Sequence, residues 1–120
     1  MVGWYDGDSP TIDIDLGFRH WMMGQKIRLY GVDTPELRGE EREHGLEVRD
    51  IVRRWAAPGT VGIIKTHKDE QGKFGRWLGE IYPEGWVESI NAKLYREGLA
   101  EIEAYTDRER RKLEALFSVA

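Results

Sequence analysis

The stretch Lys26-Ile27-Arg28-Leu29-Tyr30 alternates apolar with polar side chains until Asp33-Thr34-Pro35-Glu36 interrupts it, which leaves the chain little freedom at this point. A strand with a period of two turns Ile27 and Leu29 to one face and Arg28 to the other, the polar side. Pro35 fixes its own φ and brings no N–H, so the strand ends in a turn. One guanidinium and two carboxylates, Asp33 and Glu36, therefore meet at a strand end, where like charges repel unless a cation or a task holds them. Such a grouping suits a phosphate-handling metal site, although an Asp-Thr-Pro-Glu turn alone is more often only a turn.

Two further segments shift that balance. Asp6-Gly7-Asp8 precedes Thr11 to Leu16, where Ile12, Ile14 and Leu16 alternate with Thr11, Asp13 and Asp15 as on a half-buried strand. Downstream, Lys73-Phe74-Gly75-Arg76 follows the turn signal Asp69-Glu70-Gln71-Gly72 and delivers Arg76 at the head of another strand ending near Tyr82. Strands are also expected at Gln25 to Val32 and Thr60 to Thr66, with a stub at Val2 to Tyr5. The i, i+3, i+4, i+7 spacing of Val48, Ile51, Val52 and Trp55 predicts a helix over 41–57, stopped by Pro58-Gly59. A short helix follows over 89–97, with Ile90 and Leu94 inward and Gly98 as its C-terminal cap. Thr106 and Glu109 form a capping box for a third, from Asp107 to about Phe117. Trp21, Trp55, Trp77 and Trp86 are read as core or lip residues.

In this order, the Asp-Gly-Asp, Arg-Leu…Val-Asp-Thr-Pro-Glu and Lys-Phe-Gly-Arg segments resemble the staphylococcal nuclease (thermonuclease) family. Asp13-Ile14-Asp15-Leu16-Gly17-Phe18, Glu41-Arg42-Glu43 and Arg96-Glu97-Gly98-Leu99-Ala100 continue the likeness. The fold class expected from five strands and three helices, and implied by the resemblance, is α+β, mainly β: a five-stranded Greek-key barrel of OB type, in a single domain over 1–120.

Chemistry and resemblance lead to the same residues. Asp8, Asp33 and the carbonyl of Thr34 offer hard oxygen ligands that favour calcium or magnesium over zinc. Glu36 can orient or deprotonate water, and Arg28 and Arg76 can grip phosphate with forked donors. The resemblance implies Ca²⁺ ligation at Asp8, Asp33 and Thr34, water activation at Glu36, and phosphate clamping at Arg28 and Arg76. It also implies cleavage of DNA and RNA with little sequence preference, single-stranded or frayed duplex substrates being favoured, to leave 3′-phosphate ends. Lys73, Phe74 and Tyr105 are the expected substrate contacts. Phe74 stands where the family has tyrosine, Ser9 where it has threonine, and Pro10 removes a backbone donor close to Asp8.

Charge is the awkward quantity. Eighteen basic and 22 acidic side chains give a net charge of −4, whereas a general nucleic-acid binder carries a basic field. That balance disfavours a third class, an OB-type single-strand binder without chemistry. The stronger competitor is a non-catalytic module on the same fold that binds RNA or a protein partner, and it has no need for these site side chains together. Lys65, Lys68, Lys73 and Arg76 are the clearest basic cluster. The absence of cysteine removes disulfides, thiolate catalysis and cysteine zinc sites. His20, His44 and His67 show no ligand spacing and are read as surface or packing residues. No apolar run reaches membrane length, and Met1-Val2-Gly3-Trp4-Tyr5-Asp6 lacks the charged and apolar regions of a secretory signal. A monomer is expected.

Overall fold

Two strands joined by a tight reversal lead the architecture. β2 (Pro10–Gly17) and β3 (His20–Leu29) pair antiparallel across Gly17, Phe18 and Arg19, all three with positive φ. The computed structural model describes residues 1–68 and 77–118. β1 (Gly3–Trp4) flanks β2, while β5 (Gly62–His67) pairs antiparallel with β6 (Trp77–Pro83). A parallel step, Ile27 to Trp77 through Leu29 to Gly79, joins the two halves into one mixed sheet of order β1-β2-β3-β6-β5. β4 (Val32–Asp33) pairs separately with β7 (Glu101–Ile102).

This is an α+β fold, but the expected barrel is not closed. Among the described residues no pairing joins β1 to β5. β1 is two residues long, so among the described residues most of the outer edge of β2 has no strand partner.

The helices match the periodicity closely. α1 (Arg42–Trp55), entered through a 3₁₀ turn at Gly39–Glu41, buries Gly45, Val48 and Val52. α2 (Ile90–Arg96) is capped by the Ser89 hydroxyl, which accepts from the Ala92 N–H at 3.0 Å. Gly98, at φ +73°, ends it, and its N–H donates to the Tyr95 carbonyl. α3 (Asp107–Ser118) begins with the expected cap, the Glu109 N–H donating to Thr106 Oγ1 at 3.1 Å. The return contact differs, since the Glu109 carboxylate accepts from the Tyr105 N–H rather than that of Thr106.

Leu29, Val32, Val48, Val52, Ile90, Leu94 and Phe117 make the centre of the core. Trp4 is buried, and its indole N–H donates to the Ala56 carbonyl at 3.0 Å, which ties β1 to the end of α1. Trp55 and Trp86 are half-buried edge to face, whereas Trp21 and Trp77 are exposed and lie outside the core. No described helix is long and apolar enough to cross a membrane.

Candidate active site

The period-two reading of β3 holds at its end: Ile27 and Leu29 are buried in the core, and the Arg28 side chain emerges on the opposite face, 14 % exposed. Three carboxylates meet its guanidinium. Asp8 pairs with Nη1, while Nη2 lies 3.2 Å from Asp33 Oδ1 and 2.6 Å from Glu103 Oε2. Asp8 is buried at 4 % exposure and accepts from the Thr34 N–H at 2.9 Å and from the Ser9 hydroxyl at 3.1 Å. A buried carboxylate is tolerable only when paired and hydrogen-bonded in this way.

Titration follows the packing. Burial alone would raise Asp8, but the Arg28 charge and the hydrogen bonds from Asp6, Arg28 and Thr34 outweigh it and hold its pKa below the ordinary value. Asp6 moves the other way, to about 6, because it is partly buried and faces the Asp8 charge. Of the pair, Asp8 therefore keeps its charge to lower pH, and Asp6 is the first to take up a proton as pH falls. Asp33 is raised by burial and by the neighbouring Asp8 and Glu103 charges, against the pull of Arg28. Burial opposes the Arg28 charge as well, yet Asp8 and Glu103 raise its pKa above the usual arginine value.

Two glycines set the backbone of the site. A side chain at Gly7 would meet Val48 Cγ1 at 2.7 Å and Thr34 at 3.0 Å, so the Asp6-Gly7-Asp8 turn lies directly against the Asp33–Glu36 turn. Gly45 of α1 faces the carbonyls of Pro35 and Glu36 with no room for a Cβ. Pro10 is the first residue of β2, a position at which a strand tolerates a missing donor, and Asp8 beside it keeps its ion pair with Arg28.

Asp8, Arg28, Asp33, Thr34, Glu36 and Tyr105 all line one open cleft of about 790 Å³. Glu36 is exposed within it, and its backbone N–H donates to Glu41 at 2.9 Å. Arg76, Lys73 and Phe74 lie outside the described residues. Lys68 of the expected basic cluster reaches the same cleft.

A family model described as staphylococcal nuclease homologue matches residues 26–120. The chain belongs to the staphylococcal nuclease homologue family. The family match begins at Lys26, so it includes the Arg28 to Glu36 segment but not Asp8, which joins the site through its ion pair with Arg28. A search of curated proteins finds no match.

The donor set suits a hard cation in kind. Asp8, Asp33 and Thr34 supply oxygen only, and Thr34 Oγ1 is buried without a hydrogen-bond partner among the described residues. In number it is sparse, since no group of three His, Cys, Asp or Glu side chains able to hold a metal occurs among the described residues. Carbonyl oxygen and water would have to complete a coordination shell.

Other residues of the cleft were not legible as site residues. Glu103 lies 75 positions from the arginine it pairs with, and only the β4–β7 pairing brings it there. His67, read as a surface or packing residue, lines the cleft with its Nε2 2.8 Å from the buried Glu80 and its ring stacked on Tyr30 at 3.8 Å. Glu80 lies on the face of β6 opposite the core residue Ile81, where alternation expects a polar side chain and carries no sign that it is buried against His67.

Proposed function

We propose that the chain is a calcium-dependent, sugar-non-specific nuclease that hydrolyses phosphodiester bonds of DNA and RNA and leaves 3′-phosphate ends. The observation that carries this reading is the convergence of Arg28, Asp8, Asp33 and Glu36 on one cleft, within a family of nuclease homologues. Phosphodiester cleavage needs charge neutralisation at the non-bridging oxygens and a proton acceptor for the attacking water. Arg28 offers forked N–H donors to the phosphate, with Arg76 as its partner in the clamp. Glu36, exposed in the cleft, takes the proton from water. Asp8, Asp33 and Thr34 would hold a calcium ion, which supplies positive charge beside the phosphate and eases ionisation of water. Tyr105, at the cleft wall, with Lys73 and Phe74, contacts the nucleotide. The parallel step from β3 to β6 between antiparallel pairs supports reading the open sheet as a relative of the OB-type barrel.

Incubation with plasmid in calcium, in magnesium and in chelator tests this directly. Cleavage is expected with divalent ion and not with chelator. Glu36→Gln should slow it by orders of magnitude while the circular dichroism spectrum stays unchanged, because shape is kept and proton acceptance is lost. Tight, metal-independent, steeply salt-sensitive oligonucleotide binding with no cleavage would instead identify a binding module.

A further inference from the structure

We propose that Glu103 is the carboxylate that a substrate phosphate displaces from Arg28, and that it thereby sets the affinity of the cleft for phosphodiesters. The inference rests on the reading of Arg28 as a phosphate clamp. A guanidinium has five N–H donors, two on each Nη and one on Nε. A forked grip needs two of them aimed the same way. Both Nη nitrogens of Arg28 already hold carboxylates, Asp8 on Nη1 and both Asp33 and Glu103 on Nη2. A phosphate that grips Nη2 must therefore compete with the carboxylates already on it.

The three are not equally free to go. Asp8 is buried, with hydrogen bonds from Thr34 and Ser9 that fix its orientation. Asp33 is the more exposed, at 55 %, but it sits 3.2 Å from Nη2 against 2.6 Å for Glu103, so its departure would leave that nitrogen still held by Glu103. Glu103 combines the shorter contact with a 46 % exposed side chain, which can swing into water at little desolvation cost. Its backbone stays in place, because the Glu103 N–H donates to the Gly31 carbonyl at 2.9 Å, and β7 is paired with β4 immediately before it. The carboxylate therefore returns to the same donor whenever the phosphate departs. A carboxylate and a phosphate present the same pair of acceptor oxygens to a guanidinium, so Glu103 stands where the substrate anion would stand.

The test reads binding and not turnover. In chelator, the Arg28 side-chain Nε–H resonance of ¹⁵N-labelled protein is followed during titration with inorganic phosphate, in the wild type, E103Q and E109Q. Glu109 lines the same cleft, so E109Q controls for removal of one negative charge from the general field. E103Q should tighten phosphate binding about fivefold, the effect of one unit charge removed at close range in a largely water-like setting. E109Q should change it by less than about twofold, because screening weakens a charge that does not touch the anion. Should E103Q fold poorly, E103A removes both the charge and the contact with Nη2, and is expected to tighten binding as well. Phosphate that shifts the Arg28 resonance with equal or weaker affinity in E103Q would overturn the role of Glu103 and leave the clamp standing. Equal tightening in E109Q would overturn it too. An Arg28 resonance unmoved by phosphate in every variant would sink the clamp reading itself.

Discussion

Asn91→Ala should destabilise the protein by about 4 kcal/mol, out of a total stability on the order of 5 to 15 kcal/mol. Asn91 is fully buried on α2, at the place where β3 leaves β6 and the sheet would otherwise end in unpaired groups. Its Nδ2 donates to the Tyr30 and Gly79 carbonyls, both at 2.9 Å, and its Oδ1 accepts from the Ile81 N–H at 3.2 Å. The amide thus stands in for two residues of missing strand. Truncation leaves Gly79 served, because its carbonyl also accepts from the Tyr30 N–H at 2.8 Å. The Tyr30 carbonyl and the Ile81 N–H lose their partner in the interior, at about 1 to 3 kcal/mol each. Equilibrium unfolding in urea, followed by tryptophan fluorescence, should show the midpoint falling by about 2 M with an unchanged slope, taking a slope of about 2 kcal/mol/M. Asn91→Asp should be no better, because it keeps the acceptor but replaces the two donors with charge against the carbonyls. A loss below about 1 kcal/mol in Asn91→Ala, or a harmless Asn91→Asp, would refute the account of how β3 is anchored below Arg28.

Asp6→Asn should stabilise the protein at neutral pH and lose that advantage at about pH 4. The folded pKa of Asp6 is raised from 3.8 to about 6, so the native state favours the proton and stability falls as pH rises through that window; melting temperatures of both proteins from pH 4 to 8 check it. Gly45→Ala, which in an open helix would add up to about 1 kcal/mol, should destabilise here because the new methyl meets the carbonyls of Pro35 and Glu36, a reversal that urea unfolding reads out. Arg28→Lys should lower turnover about a hundredfold or more, since a point charge cannot replace the fork, and should weaken folding too because Asp8 keeps only part of its pairing; kinetics on an oligonucleotide together with thermal melts separate the two effects.

What the sequence displayed well was local. The Val48–Val52 stripe, the Ser89 and Thr106 caps and the Gly98 stop each depend on neighbours within a turn or two, and the helices lie where those signals put them. The first half of β3 was less visible, because Trp21-Met22-Met23 has no alternation and the hairpin turn places positive φ at Phe18 and Arg19, residues with no turn preference. The open sheet was hidden for a different reason: ladder closure is a long-range property, and strand count alone does not say whether the edges meet. The same holds within the site. Arg28, Asp33 and Glu36 share a motif and could be read together, whereas Glu103 and the His67–Glu80 pair come to the cleft from separate strands and carry no local mark.

The net charge of −4 changes meaning once the contacts are known. As a bulk property it argues against binding a polyanion. In the cleft, however, the acids are concentrated on one partner, because Asp8, Asp33 and Glu103 share the guanidinium of Arg28. The free site still carries more acid than base, three carboxylates to one guanidinium, and Arg28 is engaged by the protein's own acids. A phosphate that displaces Glu103 still meets Asp8 and Asp33 on the same guanidinium, so its affinity without a metal is weak. Capture of phosphate is therefore strengthened by anything that competes for those carboxylates. On the proposed reading a hard divalent ion fills that role, which makes the acidity of this chain part of how it withholds Arg28 rather than a contradiction of nucleic-acid chemistry.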